Sequence, residues 1–323
     1  MKHLPYLVVI FLCFACNNEP ENTKLSGPVF GTSYNVIYDS TEGYTKQFDS
    51  LFTIINQSMS TYIPDSDISK INRNEDAFVD SHFIKVFEAS KEIYQKTNGV
   101  FDPTIGAVVN AWNFGPEGRI QDLDSLKIDS LMLSVGLDRV SLNGNKIIKP
   151  KATFIDFNAI AKGYGVDVIA DFLESQNIEN YLVEIGGEIR CRGINTEKQQ
   201  AWRVGLDQPR FDGENSVYKA INLKDQAMAT SGTYRKFKTD AQGKRYAHII
   251  NTKTGYPSKT NILSVSVIAE NCMVADAYAT AFQAMEVGAI SSFLEYHPEM
   301  KAFLIIENES NELENVSLNG FPE

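Results

Sequence analysis

Asp276 and Thr280 stand four residues apart in Ala275-Asp276-Ala277-Tyr278-Ala279-Thr280-Ala281, a run whose alanines favour helix. A helix sends both side chains out of one face. A carboxylate and a hydroxyl presented together, with no His or Cys beside them, suit a hard cation such as Mg²⁺. The same spacing also serves plain surface pairs and local hydrogen bonds, so the rest of the chain has to decide between them.

Several other segments carry residues that could do chemistry. His248 opens the polar turn His248-Ile249-Ile250-Asn251-Thr252-Lys253-Thr254-Gly255, whereas His3, His82 and His297 sit in a leader, near a helix start and before a proline. Asp156-Phe157-Asn158-Ala159-Ile160-Ala161-Lys162-Gly163-Tyr164-Gly165 puts a Lys and two glycines at a helix start after an apolar strand. Backbone and ammonium can approach a phosphate there, although the G-x-x-x-x-G-K-[ST] order is absent. Glu184-Ile185-Gly186-Gly187-Glu188 ends a strand in paired glycines, which serve either a tight turn or a close ligand. Tyr62 lies in the turn-rich stretch 60–68, where a ring stacks on a flat ligand or covers the core. Thr104, in Gly99-Val100-Phe101-Asp102-Pro103-Thr104-Ile105-Gly106, stands near a helix start that either meets an anion or caps itself. Thr230-Ser231-Gly232-Thr233-Tyr234-Arg235 offers hydroxyls and one cation.

The elements that must position these groups follow from periodicity. Helices are predicted over 44–59 (apolar at Phe48, Leu51, Phe52, Ile55 and Met59), from 81 to the Asn98-Gly99 stop, and over 122–134, 161–174, 272–282 and 287–296. Strands are predicted over 29–38, 181–191, 202–206, 217–223, 262–269 and 302–306, with Ser264-Val265-Ser266-Val267 alternating like a strand buried on one face. Strands and helices without regular βαβ alternation predict an α+β fold.

Lys2 followed by the apolar run 6–16 reads as a targeting segment, far short of the ~20 residues that span a bilayer. Cys13-Phe14-Ala15-Cys16-Asn17-Asn18 resembles a bacterial lipobox, with Cys13 where Leu is usual. The expectation is a signal over 1–15, lipidation of Cys16, a flexible tether over 17–27 and one domain over 28–323. A formal net charge of −11 argues against nucleic acid as a partner and requires local cations for any phosphate-bearing ligand. Cys191 and Cys272 have no CxxC or Cys/His spacing and read as buried small residues.

In this order the segments resemble the ApbE family of flavin transferases, over essentially the whole chain after the leader. The resemblance rests on Phe30-Gly31-Thr32, Tyr62-Ile63-Pro64-Asp65-Ser66, Gly99 to Thr104, Asn113-Phe114-Gly115-Pro116 and Ala159 to Tyr164. Glu184 to Glu188, Ala229-Thr230-Ser231-Gly232, His248-Ile249-Ile250 and Ala275-Asp276-Ala277 with Thr280 continue it. It implies a two-lobed single domain related to the T-fold, with mixed or antiparallel sheets and packed helices. It implies an isoalloxazine pocket at Phe30, Gly31 and Tyr62, and Mg²⁺ held by the Ala161 carbonyl, Asp276 and Thr280. Thr104, Asp156, Lys162, Glu184, Gly186 and Gly187 are expected along the rest of FAD, and Thr254 and Gly255 beside the catalytic His248. Phe30 stands where the family has Met, Asn251-Thr252 where it has Asp-Pro, and Thr233 where it has an acidic or amide residue. The implied reaction is transfer of FMN from FAD to a Thr or Ser of an acceptor protein, with release of AMP. Hydrolysis of FAD to FMN and AMP and simple FAD storage are the alternatives. The implied acceptors are flavin-carrying subunits of Nqr- or Rnf-type redox complexes, met by a lipid-anchored enzyme on the periplasmic side of the inner membrane.

Overall fold

The computed structural model describes residues 22–214, 216–234, 236–239 and 245–323. The signal over 1–15, Cys16, the tether up to residue 21 and Arg235 lie outside the described residues. Strands β1 (Thr23–Val29) and β2 (Thr32–Tyr38) pair antiparallel through Phe30 and Gly31, whose φ angles are 48° and 76°. Two successive positive φ values mark the primed two-residue turn that suits strand twist. The expected single strand over 29–38 is therefore a hairpin, and its closure forces Phe30, a strand former by type, into left-handed backbone. Residues 23–27, expected in the tether, belong to β1, and Lys24 is bound to Glu197 at 2.8 Å.

Helix α1 (Thr45–Met59) buries Phe48, Phe52, Ile55 and Met59 along one stripe. A short α2 (Asp67–Asn72) starts where the Ser66 side chain accepts from Ser69 N. Asp80 caps α3 (Ser81–Lys96) by accepting from Phe83 N at 2.8 Å, and Asn98 and Gly99, both at positive φ, end it as expected. Two short helices follow, α4 (Gly106–Ala111) and α5 (Ser125–Met132), then the small hairpin β3 (Ser141–Asn143) and β4 (Lys146–Ile148). Helix α5 is shorter than the predicted 122–134 because Asp124 caps it from Lys127 N.

Helix α6 (Ala161–Ser175) leads to β5 (Tyr181–Ile185) and β6 (Glu188–Arg192), joined by the left-handed pair Gly186-Gly187. The pair β7 (Trp202–Asp207) and β8 (Val217–Leu223) stands apart from the main sheet. Then come β9 (Gln226–Gly232), the small pair β10 (Phe237–Thr239) and β11 (Arg245–Ala247), and β12 (Ile262–Ala269). Helices α7 (Cys272–Gln283) and α8 (Val287–Glu295) and strands β13 (Lys301–Glu307) and β14 (Leu313–Leu318) close the chain.

Eight strands form one sheet in the order β1-β2-β5-β6-β9-β12-β13-β14, with every neighbouring pair antiparallel. The α+β expectation holds, with antiparallel sheets and packed helices in a single domain. Helix α6 lies over β5 and β6, α7 lies over β9 and β12, and the two helices pack on each other. Strand β12 is buried along its whole length, unlike the one-faced strand expected. Val265 and Val267 join the helical core, Ile268 joins Trp202 and Phe303 on the other side, and the Ser266 hydroxyl bonds Thr230 at 2.8 Å. Among the described residues no helix is long and apolar enough to cross a membrane.

Candidate active site

The α6–α7 crossing brings the polar candidates together. Gly163 makes the close approach possible, since a Cβ there would lie 2.3 Å from the Cys272 carbonyl oxygen. Its backbone N donates to Asp276 Oδ2 at 3.0 Å, and Asp276 is only 4% exposed. One turn further along α7, Thr280 Oγ1 lies 3.1 Å from Ser231 Oγ on β9. Ala161 and Lys162 start α6 on the same cavity, and the Lys162 ammonium pairs with Glu188, a carboxylate 1% exposed on β6.

The cavity measures about 880 Å³ and its lining divides by chemistry. Apolar walls come from Ile55 and Met59 of α1, Phe30 at the hairpin tip, Ile105 and Phe114. The Phe30 ring packs edge-on to Phe52 at 5.5 Å and lies over Gly165, where a Cβ would come within 2.6 Å of it. Gly31 and Tyr62 complete that wall, and Tyr62 is 56% exposed rather than a cover of the core. Polar walls come from Asp156, Ala161, Lys162, Gly186, Asp276 and Thr280.

Asp156 accepts from Asn158 N at 2.8 Å and Asn158 Nδ2 at 3.1 Å; burial pushes its carboxyl up, against those bonds and the charge of Lys236. Burial pulls the Lys236 ammonium down, with Asp156 opposing, and Lys236 Nζ donates to the Phe114 carbonyl at 2.6 Å. His248 Nδ1 lies 2.9 Å from the Lys236 carbonyl oxygen. A carbonyl only accepts, so Nδ1 carries hydrogen and a neutral ring has its lone pair on Nε2.

A second cleft of about 580 Å³ adjoins the first and shares Thr32, Gly186 and Thr230 with it. Glu184 and Gly187 line this cleft and not the main cavity. Glu184 is held by Asn35 Nδ2 and Gly187 N, each at 2.6 Å.

Three expected site residues face elsewhere. Thr104 is fully buried; its hydroxyl donates to Asp102 Oδ1 at 2.6 Å and accepts from Gly136 N at 2.7 Å. It fixes Asp102, which does line the cavity, and offers nothing to an anion. Thr254 and Gly255 form a turn folded on Asn251, whose Oδ1 accepts from Lys253 N and Thr254 N. Gly255 accepts from Trp112 Nε1 at 2.8 Å and backs onto Ile128, away from the cavity. Their motif specified a turn, and turn geometry does not fix which way the turn faces. Lys236 had no sequence signal, because it is brought beside His248 by pairing of three-residue strands.

The sequence profile of the ApbE family matches residues 30–304. The chain belongs to the ApbE family. The FAD:protein FMN transferase of Vibrio cholerae is 37% identical over 291 residues, covering 86% of each chain. The solved Vibrio cholerae flavin transferase ApbE superposes with a TM-score of 0.82 at 34% identity, over 92% of this chain and 97% of that one. The apo flavinyl transferase ApbE of Pseudomonas stutzeri gives 0.81 at 26% identity, over 92% and 95%. This ApbE chain is thus matched along nearly its whole described length, hairpin tip and α7 included.

Proposed function

We propose that this chain is an Mg²⁺-dependent FAD:protein FMN transferase. What carries the reading is that Phe30, Tyr62, His248, Asp276 and Thr280, from distant segments, line one cavity of dinucleotide scale. The apolar wall suits a flat isoalloxazine, and the adjoining cleft with Glu184 and Gly187 suits the AMP half. The donor set fits a hard cation: one buried carboxylate, one hydroxyl and the Ala161 carbonyl, with ligand phosphate and water to fill the shell. Among the described residues no three His, Cys, Asp or Glu gather as a self-sufficient metal centre. A bound Mg²⁺ would neutralise the pyrophosphate and the departing AMP.

In the proposed step, the acceptor Ser or Thr oxygen forms a bond to the FMN-side phosphorus as the bond to the AMP oxygen breaks. The hydroxyl proton passes to His248 Nε2, the nitrogen left as acceptor by the Nδ1 bond. AMP leaves as the monoester, and positioning provides most of the acceleration. The acceptors would be flavin-carrying subunits of Nqr- or Rnf-type complexes. Cys16 would anchor the enzyme on the periplasmic face of the inner membrane, so Cys16→Ser should release it to the soluble fraction.

The test is intact-mass spectrometry of an acceptor domain incubated with the enzyme, FAD and Mg²⁺. A gain equal to esterified FMN, lost with EDTA and with Asp276→Ala, is expected. An unmodified acceptor with FMN and AMP released would replace transfer by FAD hydrolysis; intact FAD would leave storage.

A further inference from the structure

A buried carboxylate that the transfer step does not use sits at the crossing of α6 and α7. Asp167 of α6 is 4% exposed. Its Oδ1 accepts from Cys272 N at 2.9 Å and its Oδ2 from Met273 N at 2.8 Å, the first two amides of α7. One turn back along α6 is Gly163, and one turn on from Cys272 along α7 is Asp276. These meet too, Gly163 N donating to Asp276 Oδ2 at 3.0 Å. The two ties repeat at the same four-residue interval on both helices, so together they fix the slide and rotation of α7 against α6.

Asp167 is itself held from the sheet. Arg190 Nη1 reaches Asp167 Oδ1 at 3.1 Å and Asp171 at 2.9 Å, while its Nη2 reaches Glu174 at 3.1 Å. Arg190 lies two residues from Glu188, on the same face of β6, and Glu188 pairs with Lys162. One strand face thereby sets α6 at both its cavity end and its middle. The Asn271 side chain accepts from Val274 N at 2.9 Å and Asp167 takes the two amides before it, so the tie caps α7 from α6 as well as placing it.

We propose that Asp167 is a positioning residue that sets Asp276 and Thr280 for their cation. This rests on the reading of Asp276 and Thr280 as cation ligands. In Asp167→Asn an amide NH₂ faces one of the α7 amides, so one of the two bonds is lost and the hold on the rotation of α7 is weakened.

The experiment uses the full chain with saturating FAD and no acceptor, and reads Mn²⁺ binding by electron paramagnetic resonance. FAD affinity in EDTA and the unfolding midpoint are measured alongside. Asp167→Asn is expected to weaken Mn²⁺ about tenfold, with FAD affinity in EDTA unchanged and the Mg²⁺ concentration for half-maximal transfer raised by the same factor. Asp167→Glu, which keeps both acceptor oxygens, should recover part of that loss. Wild-type Mn²⁺ binding in Asp167→Asn, beside a loss in Asp276→Ala, overturns the positioning role alone, even if the variant melts earlier. Wild-type Mn²⁺ binding in Asp276→Ala overturns the cation site itself. Should Asp167→Asn fail to fold, Arg190→Gln takes its place, with a smaller loss of Mn²⁺ affinity expected and an unchanged affinity counting against the proposal.

Discussion

The two walls of the cavity are built in opposite ways. The wall that carries Asp276, Thr280 and Lys162 is made of two long helices and a strand, and its polar groups are tied to backbone, to opposite charge or, for Thr280, to the Ser231 hydroxyl. The wall that carries Phe30, Tyr62, Asp156 and His248 is made of a hairpin tip, loops and a turn beside three-residue strands. Rigid elements hold groups whose placement decides the chemistry, and loops present groups that must admit a ligand and a protein acceptor. The contrast teaches that a small change should be ruinous on the first wall and tolerated on the second.

Glycine substitutions give that contrast its largest test. In Gly163→Ala the new methyl would lie 2.3 Å from a backbone oxygen of α7, so the helices must separate. Overpacking of this kind costs about 3 kcal/mol, and an ångström of displacement at the ligands costs roughly a hundredfold in rate. On the other wall, Gly31 has φ 76° and no atom within 4 Å of the added carbon. Gly31→Ala should therefore cost only the left-handed strain, about 1 kcal/mol. Urea unfolding and transfer rates of the two variants, measured side by side, check this. Equal effects would mean that the helical wall has slack.

The same division governs what could be read from the sequence. Helices α1, α3 and α6 are legible because their stripes recur at 3.6 residues, and α7 because its alanines favour helix, which pairs Asp276 with Thr280 four residues on. Strand β9 escaped notice although it lies at the centre of the sheet. Its sequence, Gln-Ala-Met-Ala-Thr-Ser-Gly, is small and weakly strand-forming, which is what lets α7 lie closely over it. The turn at Phe30-Gly31 was masked by a residue type that prefers strands. Glu188 and Lys236 gain their roles only when distant segments meet, so no local pattern announced them. Motif resemblance points to His248 and Asp276, which the fold brings to one cavity, and to Thr104, Thr254 and Gly255, which lie in turns off it.

A smaller effect separates stability from ligand binding on the looped wall. Burial raises the Asp156 carboxyl, so the folded state holds that proton more tightly than the unfolded chain does. Above the raised pKa the wild type carries the cost of an ionised, partly desolvated group; below the ordinary carboxylate range, about 4, both states are protonated and the cost is gone. Asp156→Asn removes the charge, and the Asn158 amide can turn to keep its bond. The variant should be more stable than wild type at pH 7.5, by on the order of 1 kcal/mol, with the gain fading as pH falls toward 4. Thermal unfolding at a series of pH values checks the sign. A gain that persisted at low pH would show that packing, not charge, had changed.

The smallest signal comes from the two cysteines among the described residues, both in the rigid wall: Cys191 on β6 and Cys272 at the start of α7. Burial pushes the Cys191 thiol up to about 12 and raises Cys272 well above its ordinary value. A raised pKa leaves less of the reactive thiolate, so at pH 8 Cys191 should react about a thousandfold more slowly than an open thiol, and Cys272 is slowed in the same direction. Both are buried besides, so labelling requires the wall to open. Mass-spectrometric mapping of a slow maleimide reaction should find the two sites modified together, at the rate of global unfolding. If Cys272 labels well ahead of Cys191, the end of α7 frays while the sheet stays closed. The bonds from Asp167 would then be the weak point of the helical wall, and the two walls would differ less in rigidity than their construction implies.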